Sequence, residues 1–281
     1  MPAVTLAKKT GFCFGVKRAV DMALEVLEKE KAAYSLGSII HNRQVVEDLA
    51  GKGLAVVERI EDVPQGGTVV ISSHGSGPQI ARRLAKQGMK VVDTTCPFVL
   101  NAQRIAKSLH KEGYAVIIVG DKDHPEVRAL VDFAGEKTYV VKDTKEAAAL
   151  RLSPNEKLSI VSQTTQSTER FLDVVREILK KGPKEMRIFN TICRDAQERQ
   201  VAARALASKV KVMLVVGGKN SANTRRLYDV CRKVSPFTYL IETEKELDRK
   251  RVSGKARIGI TSGASTPQWV IEKVVKKIQK K

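Results

Sequence analysis

Aromatic residues make up only 5% of this 281-residue sequence, and tryptophan occurs once. No stacking platform, zinc-finger spacing or RNP-like string accompanies them, so nucleic acid is a disfavoured partner with nothing but charge behind it. No apolar run approaches the roughly 18 residues that a membrane-spanning helix needs. The opening MPAVTLAKKT lacks the apolar stretch of a secretory leader. These absences predict neither export nor membrane insertion. Cysteine is sparse and scattered: four residues, which is not the pattern of a disulfide framework. In a reducing, cytoplasmic setting such cysteines read as metal-binding or catalytic. Acidic residues are also in short supply, 31 against 50 Lys and Arg, which leaves a formal charge of +19. That excess predicts attraction to anions: a phosphorylated substrate, an acidic protein or nucleic acid. No low-complexity tract interrupts the chain, and its length allows a large core and more than one domain.

What the sequence does have is a placement repeated three times. Cys13 lies in GFCFGVKRAV, Cys96 in DTTCPFVLNAQ and Cys193 in NTICRDAQERQ, separated by 83 and then 97 residues. Each stands just ahead of a stretch with helical periodicity. Gly37, Gly120 and Gly217 repeat at the same two spacings, and so do His41, His124 and Ser221. Matching landmarks in one register point to three related units.

Apolar runs alternate with amphipathic stretches throughout, as expected of parallel sheets covered on both faces. Strands are expected over 4–9, 34–40, LAVVERI, GTVVISS, KVVDTTC, 115–121, TYVVK, 158–165, MRIFNTIC, 212–218 and 257–263. The first helix should bury Val16, Ala19, Val20, Ala23, Leu24 and Leu27. The helix at about 195–209 should bury Val201, Ala202, Ala205 and Leu206. The fold class is therefore α/β, with units at 14–95, 96–192 and 193–281. The last unit lacks a strand leading to a cysteine, and the N-terminal strand within 1–13 is placed to complete it. A pseudo-threefold arrangement would bring the three cysteines to one centre, at the carboxyl ends of the strands where such sheets bind ligands.

A cysteine ahead of a helix meets unpaired N–H groups and a partial positive charge, which should lower its thiol pKa and stabilise an anionic cluster. Zinc fits less well, because structural zinc wants four ligands and close CxxC pairs. Three isolated thiolates suit a 4Fe–4S cluster with one iron left open, which means chemistry at iron as well as electron transfer. Three structural cysteines are the alternative. Cys231, on a helical face in RRLYDVCRKV, has no counterpart and reads as structural. His41, His74 and His124 follow strand ends, where they can bind a phosphate or relay protons. His110 instead reads as a helix-terminus residue. Ser221, Asn223, Ser265 and Thr164 add neutral donors, and the turns GGKN and TSGAS can point backbone N–H groups at an anion. Glu126, in HPEV, is either a general acid or an ordinary acidic residue in the first turn of a helix behind Pro125.

Taken together, GFCFGVKRAV, IIHN, SSHG, DTTCP, HPEV, SQTT, NTIC, GGKNSANTRRL and SGASTP closely resemble the 4-hydroxy-3-methylbut-2-enyl diphosphate reductase family over essentially the whole chain. The resemblance implies a three-unit fold around a 4Fe–4S cluster held by Cys13, Cys96 and Cys193. It implies two-electron removal of an allylic hydroxyl from a diphosphate substrate, giving isopentenyl and dimethylallyl diphosphate, with ferredoxin or flavodoxin as electron donor. By motif, His41, His74, Ser221, Asn223 and Ser265 would hold the diphosphate, and His124 would assist. Glu126 and Thr164 would deliver the proton, with Thr165 as the alternative to Thr164. Ala222 departs from the second serine that many members carry. Two rivals stand beside this expectation: a quinolinate synthase-like cluster enzyme acting on a dicarboxylate, and a nucleic-acid-binding protein with a structural cluster.

Overall fold

A computed structural model describes residues 3–153, 155–252 and 257–280. The apolar runs form strands. In chain order the strands are β1 (Ala3–Leu6), β2 (Ala33–Leu36), β3 (Leu54–Val57), β4 (Thr68–Ile71), β5 (Lys90–Asp93), β6 (Ala115–Val119), β7 (Thr138–Val141), β8 (Leu158–Ser162), β9 (Met186–Ile188), β10 (Val212–Val216), β11 (Thr238–Ile241) and β12 (Arg257–Ser262). Of these, β4, β6, β8, β10 and nearly all of β12 are buried, whereas the outer strands are partly exposed. The helices are α1 (Phe14–Glu30), α2 (Arg43–Gly51), α3 (Pro78–Lys86), α4 (Pro97–Lys111), α5 (Pro125–Ala134), α6 (Thr144–Ala149), α7 (Thr168–Leu179), α8 (Arg194–Ala207), α9 (Ala222–Arg232), α10 (Arg249–Val252) and α11 (Gln268–Gln279).

These strands make three four-stranded sheets, ordered β3-β2-β4-β5, β7-β6-β8-β9 and β11-β10-β12-β1. All pairings are parallel. Written this way the three sheets share one strand order. β1 takes the fourth position in the last sheet, where Val4 pairs with Ile258 and Leu6 with Ile260. In each sheet the strand order reverses between the two central strands, and the crevice beyond their carboxyl ends is where such sheets take ligands.

The chain forms two compact units. One comprises Met1–Lys17, Ile40–Glu47 and Arg194–Lys281, and the other Arg18–Ile39 and Asp48–Cys193. In the first, Val212, Leu214, Val216, Ile258 and Ile260 pack against Val270, Ile271 and Val274 of α11, while Met213 and Val215 pack with Ala203, Ala207, Leu227 and Cys231 on the other face. In the second, Ile117, Val119 and Ile160 pack against Phe171, Val174 and Ile178 of α7. On the opposite face Val116, Ile118 and Val161 meet Ala102, Ala106, Val127 and Leu130. Truncating Ile117 in this layer costs about 2–5 kcal/mol.

The structure corrects three expectations of detail. The strand expected over 34–40 ends at Leu36, because Gly37 turns with φ +69° and its N–H bonds the Val57 carbonyl. β11, in TYLI, is an additional short strand. The buried face of α8 is also different from that expected. Val201 is 70% exposed, Ala205 is exposed, and Ala196, Arg199, Gln200, Ala203 and Ala207 are buried instead. Among the described residues no helix is long and apolar enough to cross a membrane.

Candidate active site

Glu126 is the most constrained ionisable side chain in the unit that carries the second and third cysteines. Pro125 opens α5, and the Glu126 N–H donates to His124 Nδ1 at 3.2 Å, so His124 caps the helix. That bond makes Nδ1 an acceptor and puts the proton of a neutral ring on Nε2. The Glu126 carboxyl is buried, 2% exposed. Its Oε1 accepts the Thr164 backbone N–H at 2.6 Å and its Oε2 accepts the Thr164 hydroxyl at 2.9 Å. Burial pushes its pKa up to about 7, against the opposing pull of the two Thr164 bonds. The carboxyl is thus poised between donor and acceptor near neutrality. Thr165, by contrast, makes no contact of this kind: its Oγ1 is buried without a hydrogen-bond partner.

The same threonine reaches the third cysteine. The Cys193 N–H donates to the Thr164 carbonyl at 2.8 Å. Gln163, fully buried, accepts the Asp121 N–H through Oε1 at 3.1 Å and so ties the loop after β6 to the loop after β8. Sequence reasoning passed over Gln163, although it stands beside the threonines in SQTT. The loop after β4 brings His74 to His124, their rings edge to face at 5.3 Å between centroids. Ser72 Oγ lies 3.5 Å from His74 Nδ1. The Cys96 N–H donates to the Ser73 carbonyl at 3.1 Å, and Cys96 occupies the N-cap of α4. Cys96, Cys193, His74, His124, Glu126 and Thr164 are thus carried by loops at the carboxyl ends of neighbouring strands.

The other unit holds the remaining site residues. The Cys13 N–H donates to the Ala264 carbonyl at 3.0 Å, which anchors the first cysteine to the loop after β12. Next to it, Ser265 Oγ donates to the His41 carbonyl at 3.0 Å. Gly218 lies against that same carbonyl: a Cβ there would come within 2.6 Å of the oxygen. Burial, reinforced by the Arg225 charge, lowers the His41 pKa, so its imidazole is neutral near pH 7. Ser221 caps α9 by accepting the Thr224 N–H at 3.3 Å. Asn223, 4% exposed, has neither its amide nitrogen nor its amide oxygen hydrogen-bonded. A buried amide unsatisfied at both ends is costly unless a ligand completes it, and here it stands in the first turn of a helix whose dipole favours an anion. Ala222, in the same turn, is 6% exposed. The unmet amide of Asn223 beside the N-terminus of α9 is the feature of this unit that suits an anion.

The donor set suits an iron–sulfur cluster. None of the four cysteines is in a disulfide, and Cys13, Cys96 and Cys193 are each only partly buried and directly precede α1, α4 and α8. The Val16 N–H donates to Cys13 Sγ at 3.4 Å, the amide-to-sulfur bond that stabilises cluster thiolates. The helix does not, however, lower this thiol as expected. Burial raises the Cys13 pKa and outweighs the Val16 and Gly15 N–H groups, so a metal bound there would have to drive its deprotonation. Cys231 is fully buried, and its thiol is pushed up to about 12 by burial, as suits a core residue.

Residues 4–279 match the sequence model of a family described as LytB protein. The chain is 49% identical over 276 residues, 98% of its length and 96% of the relative's, to a protein from Geobacter sulfurreducens named 4-hydroxy-3-methylbut-2-enyl diphosphate reductase. It is 45% identical over 280 residues to one of the same name from Caldanaerobacter subterraneus subsp. tengcongensis, covering 98% and 96% of the two chains. Among solved structures it resembles the E-1-hydroxy-2-methyl-but-2-enyl-4-diphosphate reductase of Plasmodium falciparum, with TM-score 0.92, 31% identity and coverage of 98% and 87%. It also resembles an (E)-4-hydroxy-3-methyl-but-2-enyl diphosphate reductase described as the terminal enzyme of the non-mevalonate pathway, with TM-score 0.70, 43% identity and 99% coverage of each.

Proposed function

This chain belongs to the LytB protein family, and from that membership we propose that it reduces 4-hydroxy-3-methylbut-2-enyl diphosphate to isopentenyl and dimethylallyl diphosphate. Two electrons and two protons enter, the allylic C–O bond breaks, and water leaves. Cys13, Cys96 and Cys193 would hold a 4Fe–4S cluster, which would supply the electrons and Lewis acidity. The electrons come from an acidic ferredoxin or flavodoxin, for which the +19 chain is a favourable partner. The enzyme works in the cytoplasm, where thiols stay reduced.

The remaining chemistry belongs to side chains. Asn223, Ser221, Ser265 and neutral His41 take the diphosphate, with the α9 N-terminus adding its dipole. His74 and His124 contribute further N–H donors. Glu126 in its protonated form gives a proton to the departing oxygen, and Thr164 holds both carboxyl oxygens in place through its N–H and hydroxyl. The observation that carries this reading is the buried Glu126 carboxyl, raised to about 7 and held by Thr164, beside a cysteine that the same threonine anchors.

The test is anaerobic turnover of cluster-reconstituted protein with reduced methyl viologen and the allylic diphosphate, products being resolved by chromatography. Both five-carbon diphosphates should form, and Cys96→Ser should abolish them. A protein with full iron and sulfide that forms neither product would overturn the reading.

A further inference from the structure

Arg199 lies in the helix that begins just after Cys193, on a face other than the one its apolar periodicity picks out, and it is only 2% exposed. Its Nε donates to Asp195 Oδ2 at 2.6 Å, while its Nη1 is buried without any hydrogen-bond partner. A guanidinium carries five N–H donors and does not deprotonate in proteins, so a cation here is held with its donors incompletely met. Asp195 does not belong to Arg199 alone. Lys9 Nζ approaches its Oδ1 at 3.7 Å and also bonds Glu198, which in turn accepts from Arg194 Nε at 2.8 Å. Three cations thus share two carboxylates, and of the three only Arg199 is cut off from solvent. Lys9 is four residues from Cys13, and both Asp195 and Arg199 act electrostatically on the Cys13 thiol.

A cluster held by three thiolates carries net negative charge, and reduction adds to it. A desolvated positive charge nearby favours the added electron more strongly than the same charge in water. We propose that Arg199 is the buried counter-charge that sets how readily the cluster at Cys13 accepts an electron, with Asp195 as the opposing charge that moderates it. The proposal rests on the cluster assignment above. It assigns the pair a role in the ease of reduction, distinct from proton delivery by Glu126 and from diphosphate binding.

The experiment is an anaerobic redox titration, followed by electron paramagnetic resonance, of reconstituted wild type, Arg199→Gln, Arg199→Lys and Asp195→Asn, with iron and sulfide counted per chain. Arg199→Gln should move the midpoint to a more negative potential, lowering the ratio of reduced to oxidised cluster at the wild-type midpoint roughly tenfold, or 59 mV for one electron. Arg199→Lys should fall between the two, and Asp195→Asn should move the midpoint the other way. Loaded Arg199→Gln and Asp195→Asn variants with unchanged midpoints, or with shifts of the same sign, overturn the proposal. If Arg199→Gln takes up no cluster, Asp195→Asn decides alone: a positive shift supports the counter-charge and an unchanged midpoint overturns it. Failure of the wild type itself to take up a cluster overturns the underlying assignment instead.

Discussion

Thr164 grips Glu126 at both ends of its carboxyl group, through the backbone N–H at Oε1 and through the hydroxyl at Oε2. With its pKa near 7, the carboxyl is mostly protonated below neutrality and mostly ionised above it. A proton donor of this kind predicts that turnover falls as pH rises past about 7, approaching a tenfold loss per unit. Glu126→Gln should lower kcat by about 10²–10⁴ while leaving KM and iron content near wild type. Steady-state kinetics across pH check both. Near-normal turnover in that variant would remove Glu126 from the proton route.

The same carboxyl predicts a stability effect of definite sign. Its folded pKa, about 7, lies above the ordinary value of 4.5, so between those values the folded protein holds more protons than the unfolded chain. The favourable contribution is fully present below about pH 4.5 and is lost as pH rises through 7. By pH 8 the ionised, buried carboxylate costs roughly 3 kcal/mol. Glu126→Gln should therefore melt higher than wild type at pH 8, and the gap should narrow toward pH 5. Melting curves of the two cluster-free proteins at both pH values measure it. A gap that does not change with pH would contradict the burial argument.

Thr164 and Thr165 separate on a different readout. The Thr164 hydroxyl stabilises ionised Glu126, and bonds to charged groups are worth about 1.5–3 kcal/mol. Thr164→Ala should move the pH limb upward and slow turnover, and Thr164→Ser, which keeps the hydroxyl, should restore the limb. Thr165→Ala should leave the position of the limb where it is in wild type. A limb displaced by Thr165→Ala and not by Thr164→Ala would exchange the two roles.

Much of this was legible in the sequence because it repeats. The matched spacings of Cys13, Cys96 and Cys193, and of Gly37, Gly120 and Gly217, follow from three sheets with a common strand order. The place of β1 beside β12 was legible from the strand the last unit lacks. The α8 face was not legible, because periodicity registers apolar burial and Arg199 is buried against Asp195 instead. Between Thr164 and Thr165 the register of SQTT already favoured Thr164, and packing turns the Thr164 hydroxyl toward Glu126.

The cysteines should divide three to one. Serine in place of Cys13, Cys96 or Cys193 should each abolish the normal iron and sulfide content. Cys231→Ala should retain it, because this thiol is fully buried among Ala203, Met213 and Leu227 and packs the core at a cost of about 1 kcal/mol when truncated. Iron and sulfide assays with a melting curve on each variant settle the division. Loss of iron from Cys231→Ala without unfolding would reassign it as a ligand.

Gly218 offers a test of the proposed diphosphate site that leaves its donors intact. A methyl group at this position would stand 2.6 Å from the His41 carbonyl oxygen, and that oxygen belongs to the backbone, which cannot swing aside as a side-chain end could. The His41 loop must move, and the bond from Ser265 Oγ to the same carbonyl must stretch with it. Gly218→Ala should therefore raise KM for the diphosphate about tenfold, equivalent to about 1.4 kcal/mol, with the pH limb of Glu126 unmoved. Ser265→Ala removes the bond without the clash and should have a smaller effect on KM. If Gly218→Ala instead displaced the pH limb and left KM alone, His41 would belong with proton delivery and not with the diphosphate.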